Sequence, residues 1–201
     1  MKLTKELTTA ALAIVVLTLV LGLAYPLVMT GISQVAFPSK ADGSQVEVDG
    51  KVVGSRLIAK AFTLKSGQPD PRYFQPRPSQ SDYSATATFF SNRGPNSVSA
   101  RVFYRKQIDA YLALERTYDP GLTAAKVPVD AVTTSASGVD PHISKANAAV
   151  QAHRIAAVRD LPLARVNTVI KSNTDGRFLG VVGEPGVNVL ELNLALDKDA
   201  R

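Results

Sequence analysis

From Leu7 to Ser39 no residue is charged, a run of 33 positions whose centre, Ala10 to Leu27, is almost wholly Ala, Ile, Val and Leu. About 20 such residues wound as a helix cross roughly 30 Å of hydrocarbon, so the run is long enough to span a bilayer once. Lys2 and Lys5 precede it and no Lys or Arg follows until Lys40. That asymmetry predicts a cytoplasmic N-terminus with everything beyond the helix outside. Tyr25 and Pro26 fit the far interface, where an aromatic ring settles and a helix can bend or end. The rival is a cleaved signal peptide, with Gly22-Leu23-Ala24 as the small-residue cut site. Val28, Met29, Ile32, Val35 and Phe37 prolong the uncharged stretch past that cut, and the uncleaved anchor is the preferred reading. Thr18 and Gly22, small and four apart, are candidate packing positions for another membrane helix.

The rest is ordinary for a packed core. The 201 residues are 45% apolar and 20% charged, with a net charge of +6. This excludes a polytopic membrane protein, a collagen and a wholly disordered chain. There is no cysteine, hence no disulfide framework, thiolate nucleophile or cysteine-ligated metal. The basic residues are dispersed, which argues against nucleic acid and for an anionic lipid surface or an acidic partner.

Beyond the helix, Val46 to Val52 alternates around Asp49-Gly50, a hairpin signal, and Leu57 to Leu64 continues in β-compatible chemistry. Pro69, Pro71, Pro76 and Pro78, interleaved with Tyr73, Phe74 and Tyr83, predict a long surface-hugging loop. A helix is expected from Val98 to Tyr118, capped by Asn96 or Ser97, with Ala100, Phe103, Gln107, Tyr111, Leu114 and Tyr118 inward. Asp140-Pro141 reads as N-cap and first position of a second helix, buried through Ala148, Ala152, Ile155 and Val158 and ending near Arg159. Leu163 to Ser172 is a third. After the turn Gly183 to Gly186, the alternation of Leu190, Leu192, Leu194 and Leu196 predicts a strand with one buried face. The expected fold is α+β: residues 1–36 as cytoplasmic tip and transmembrane helix, residues 37–201 as a single mixed α/β extracytoplasmic domain.

Chemistry is sparse. No Walker loop and no Asp-Lys-Thr-Gly phosphorylation motif is present. His142 and His153 are eleven apart, the wrong interval for two ligands on one helical face, and no metal site is expected. Asp140 and His142 with Ser135, Ser137 and Ser144 invite a hydrolase triad, but they crowd into ten residues as a helix cap does. The loop Ser135 to Gly138 could also present helix N–H groups to an anion, with Lys145 or Arg154 nearby; a plain loop is the preferred reading.

The chain resembles the C chain of the bacterial potassium-transporting ATPase, the Kdp system (the KdpC family), over nearly its whole length. The resemblance rests on Phe37-Pro38-Ser39, Gly50-Lys51-Val52-Val53-Gly54-Ser55, Tyr73-Phe74, Arg77-Pro78-Ser79 with Tyr83, and Ser91-Asn92 with Gly94-Pro95. Its most specific stretches are Ser137-Gly138-Val139-Asp140-Pro141-His142-Ile143-Ser144, Gln151 with Arg154, and Gly183-Glu184-Pro185 leading into Asn188-Val189 and Asn193. Departures fall at Ala59-Lys60, Gln75-Pro76, Phe89-Phe90, Arg93 and Gly186. The resemblance implies a non-catalytic inner-membrane subunit working with a potassium-selective channel-like subunit, an ATP-hydrolysing P-type subunit and a small single-helix subunit. ATP and potassium would act at those partners, with no cofactor on this chain. Its implied role is to hold the assembly together, with a "catalytic chaperone" action that would raise the pump's affinity for ATP. The motif residues would then serve rigidity or docking. Two rivals stand beside it: a membrane-anchored or secreted hydrolase using Ser137 or Ser144 with His142, and a free periplasmic binding protein.

Overall fold

The computed structural model describes residues 2–84 and 86–199, and divides into two compact units, Met1–Gln45 and Val46–Arg201. In the first, one helix runs from Lys2 to Ala36, 35 residues with a mean hydropathy of 2.5 in its most apolar window and none of that window buried. It comprises α1 (Lys2–Leu17), a wide-wound segment Thr18–Ala24, and α2 (Tyr25–Ala36). The wide winding has a cause in the sequence. Pro26 has no N–H to give the carbonyl four residues back, and its ring crowds that carbonyl. The chain absorbs this by widening, so that the Tyr25 N–H reaches the Val20 carbonyl, five residues back. The helix therefore passes through Tyr25 and Pro26 and ends only at Ala36, before Phe37 at φ −142°. The short α3 (Pro38–Ala41) follows.

The expected hairpin follows, β1 (Gln45–Val48) and β2 (Lys51–Ser55). Asp49 (φ 51°) and Gly50 (φ 73°) supply the two left-handed residues of its turn. Leu57 to Leu64 forms no strand: it makes isolated bridges from Ile58 to Ser55 and from Thr63 to Pro69. The Ala59 N–H instead bonds the Val139 carbonyl at 2.8 Å, so this backbone is satisfied by a distant loop. The Pro-rich segment lies against the core through Phe74, which has no exposed surface.

Helix α4 (Val98–Glu115) is capped by the Ser97 hydroxyl, which accepts from the Ala100 N–H at 3.1 Å. It stops three residues short of the expected Tyr118. A 3₁₀ turn (Ala124–Lys126) and the short α5 (Val129–Val132) lead to β3 (His142–Ile143). Then come α6 (Lys145–Arg159), α7 (Leu163–Ser172), β4 (Thr174–Asp175), β5 (Gly186–Asn188) and α8 (Val189–Asp199). The three short strands form an antiparallel sheet in the order β3-β5-β4, with Ile143 and Thr174 both opposite Val187. Side chains from α6, α7, α8 and the sheet meet in one core that includes Phe74, Ile143, Ala152, Ile155, Val166, Val187, Leu192 and Leu196.

Two expectations are overturned. Asp140-Pro141 does not begin a helix. Residues 142–143 pair with β5, and the helix starts after Ser144, whose hydroxyl accepts from the Asn147 N–H. The Leu190–Leu196 run is helix α8, not a strand. Val189, Leu192, Asn193 and Leu196 are buried, the i, i+3, i+4, i+7 pattern of one helical face. The Asn188 side chain accepts from the Glu191 N–H and closes its first turn.

Candidate docking site on two polar clasps

The motif residues between 77 and 175 meet at a surface clasp. The Arg77 guanidinium reaches the Asp140 carboxylate at 3.3 Å and the Thr134 carbonyl at 3.3 Å, tying the Pro-rich segment to the loop before β3. Asp140 accepts the backbone N–H of His142 at 3.0 Å, and the His142 ring Nδ1 lies 3.6 Å from the same oxygen. The ring's other nitrogen, Nε2, lies 3.1 Å from Asp175 at the far edge of the sheet. Gly186, on the strand between, leaves room for this: a Cβ there would lie 3.1 Å from the His142 Cβ. The hydrogen bond to Asp140 raises the His142 pKa above its ordinary value against a smaller opposing effect of burial, with Asp175 adding to the rise. For Asp140, burial pushes upward, but His142 and Arg77 together hold the carboxyl below its ordinary value.

Beside this clasp, Ser79 donates to the Gly138 carbonyl at 2.6 Å and accepts from the Tyr83 N–H, while the Tyr83 hydroxyl donates to the Arg77 carbonyl. Burial, with Asp82 nearby, pushes the Tyr83 phenol up to about 12. Gly138 sits at φ +76°, where a Cβ would lie 2.7 Å from the Ser81 hydroxyl. Only glycine fits there without strain.

The second clasp is interior. Arg154, wholly buried, donates to Glu115 at 2.9 Å, to the Tyr73 carbonyl at 3.0 Å, to the Pro71 carbonyl and to the Gln151 side chain at 2.9 Å. Gln151 in turn holds both backbone groups of Gln75 and the Asn147 side chain. Asn147 accepts from the Tyr111 hydroxyl and donates to Asp130. Asp130 also takes the Ser144 N–H at 2.8 Å and hydroxyl at 2.7 Å, so a carboxylate from α5 occupies the N-terminus of α6. Burial raises the Glu115 carboxyl against the opposing pull of Arg154. Asn193 likewise grips both backbone groups of Phe74, and Asn188 donates to the Arg56 carbonyl.

Other motif residues lie elsewhere. Gly54 packs against Leu190, the Ser55 hydroxyl accepts from the Leu57 N–H, and the Pro141 carbonyl accepts from the Val189 N–H. Ser91 and Asn92 lie in the irregular segment before α4, and Gly94 and Pro95 belong to the turn that the Ser97 N–H closes on the Gly94 carbonyl. Glu184 pairs with Arg177 at 2.9 Å in the exposed segment that ends with Gly183 and Pro185. Thr18 and Gly22 share one exposed helix face. Neither Ser137 nor Ser144 is bonded to His142: the Ser137 oxygen accepts from the Val139 N–H, and the Ser144 hydroxyl donates to Asp130. Among the described residues no group of three or more His, Asp or Glu is arranged to hold a metal ion.

Sequence reasoning missed Glu115, Asp130, Asn147 and Asp175. Glu115 alone carried a signal, a carboxylate four residues after Tyr111 on the inward face of α4. The clasps tie segments distant in sequence together, one at the surface through Arg77, Asp140 and His142 and one in the interior through Arg154, Glu115 and Gln151.

Comparison with known proteins agrees over nearly the full length. The family described as "K+-transporting ATPase, c chain" (KdpC) matches residues 7–198. A potassium-transporting ATPase KdpC subunit from Methylococcus capsulatus is 47% identical over 191 residues, covering 94% of this chain and 95% of the relative. One from Polaromonas naphthalenivorans is 49% identical over 185 residues, covering 90% and 89%, and one from Caldanaerobacter subterraneus is 45% identical over 181 residues, covering 90% and 89%. Among the described residues one helix is long and apolar enough to cross a membrane, which fits a single-pass membrane protein. With the match extending from that helix to α8, the chain belongs to the KdpC family, the C chains of potassium-transporting ATPases.

Proposed function

We propose that this chain is a non-catalytic accessory subunit of an ATP-driven potassium uptake complex, anchored in the inner membrane by residues 2–36 with residues 37–201 outside. Its partners are the channel-like potassium-selective subunit, the P-type ATP-hydrolysing subunit and a small single-helix subunit. ATP and potassium act at those partners. The observation that carries the reading is the family match across residues 7–198. The basic start before an uncharged run supports the orientation. An external domain cannot touch a cytoplasmic nucleotide site, so any chaperone effect on ATP affinity passes through the conformational equilibrium of the assembly. Stabilising the assembly is the primary role.

The test is purification of the C-terminally tagged chain from membranes of potassium-starved cells in mild detergent. A P-type ATPase and a large polytopic subunit should come with it at equal stoichiometry. Recovery as a processed, solitary soluble protein would overturn the reading. In the assembled complex, His142→Ala should leave ATP turnover within a few fold. A complete loss with the complex intact would contradict the reading; the hydrolase alternative instead requires substrate turnover by this chain alone, abolished by one serine substitution.

A further inference from the structure

Gln151 and Asn147 each use both ends of their carboxamides within the chain. Glu115 breaks this pattern. Its Oε1 accepts from Arg154, but no described residue donates to Oε2, although the residue is only 1% exposed. A buried acceptor without a donor is costly, so it marks a place where a donor belongs. Glu115 lines a cavity of about 180 Å³ together with Gln107, Tyr111, Pro76, Pro78 and Tyr83. That is room for about six waters, less than a drug-sized pocket. The prolines and the Tyr83 ring give it an apolar wall, and Gln107 and Tyr111 add polar groups beside the carboxylate.

The charge of Glu115 is already balanced by Arg154, and both side chains are buried. A second cation would leave an uncompensated buried positive charge, and an anion would face a carboxylate oxygen. What fits is neutral. We propose that this cavity binds an uncharged hydroxyl or N–H group carried on a small apolar body, its hydrogen donated to Glu115 Oε2. That chemistry has two sources: a free small molecule, or a side chain of the tyrosine or tryptophan kind from another subunit. Only the second rests on the assembly reading.

The experiment follows backbone amide resonances of the ¹⁵N-labelled full-length chain in detergent during titration with benzyl alcohol and, separately, benzyl methyl ether, which keeps the ring and lacks the donor. Benzyl alcohol should produce saturable shifts confined to residues 107–115 and 147–151, with the ether at least about tenfold weaker, since the site is built around one hydrogen bond. Ala110→Trp, which plugs the cavity from an exposed lining position, should abolish the response while the other resonances stay in place. No response at those amides, or equal responses to the two probes, would overturn the proposal and leave a cavity that holds water only. With the titration positive, the plug placed in the tagged complex assigns the source: lost co-purification means a partner's side chain, and unchanged co-purification a free molecule. The titration uses this chain alone, so it stands even if no partner subunit co-purifies.

Discussion

Arg154 is a cation with no exposed surface, and Glu115 is its counter-ion. Removing one member of such a pair strands the other in the interior, at a cost of about 3–5 kcal/mol. Arg154→Met should lower the stability of the full-length chain by that order in chemical denaturation followed by tyrosine fluorescence, and Arg154→Met with Glu115→Leu should recover part of the loss. At the surface clasp the response is to pH. The His142 pKa is raised above its ordinary 6.5, so its contribution is complete below about pH 6.5 and fades as pH rises through the raised value. The Asp140 pKa is lowered below its ordinary 3.8, so its contribution holds above about pH 3.8 and fades as pH falls through the lowered value. The stability gap between the wild-type chain and His142→Ala should therefore be widest between about pH 4 and 6.5 and narrow toward pH 8.5. A gap that widened with pH would contradict the clasp. Of these residues the sequence singled out Arg77, Asp140, His142, Gln151 and Arg154, through resemblance. It could not pair Arg154 with Glu115 or His142 with Asp175, because those partners lie 39 and 33 positions away and meet only through packing.

Helix α6 shows how an element's boundary is decided. A Pro at the first helical position and an Asp cap are sound local chemistry, yet the start moves to Ser144 because Ile143 is claimed by β5 and Ser144 is held by Asp130. Ser144→Ala removes the cap and one donor to Asp130, and should cost about 1–2 kcal/mol, read as a shift in denaturation midpoint. Gly138→Ala forces a left-handed backbone on a residue that also meets Ser81, and should cost about 1–3 kcal/mol by the same measurement. Elements whose signal is local were legible: the hairpin at Asp49-Gly50, α4 with its Ser97 cap, and α7. Helix α8 was not. Leucines at every second position fit a half-buried strand, and the burial of Val189 and Asn193 beside Leu192 and Leu196 shows the period to be helical. In α2, Pro26 alters the winding without ending the helix.

For the whole molecule, the proposed orientation is open to direct test, because the chain has no cysteine of its own. A single cysteine at Val181, 75% exposed, should react with a membrane-impermeant maleimide added to intact spheroplasts, whereas one at Lys5 should react only after lysis. The reverse pattern would place the larger unit in the cytoplasm. The sequence by itself determined the long apolar helix, the mixed α/β class and the family, because hydrophobic run length, short-range turn chemistry and motif order are written along the chain. Tertiary structure alone decided the strand order β3-β5-β4, the helical state of residues 189–199 and the partners of Arg154, His142 and Asp130. These depend on which distant groups can satisfy a buried hydrogen bond or charge, and the cost of leaving one unsatisfied is set by the assembled interior.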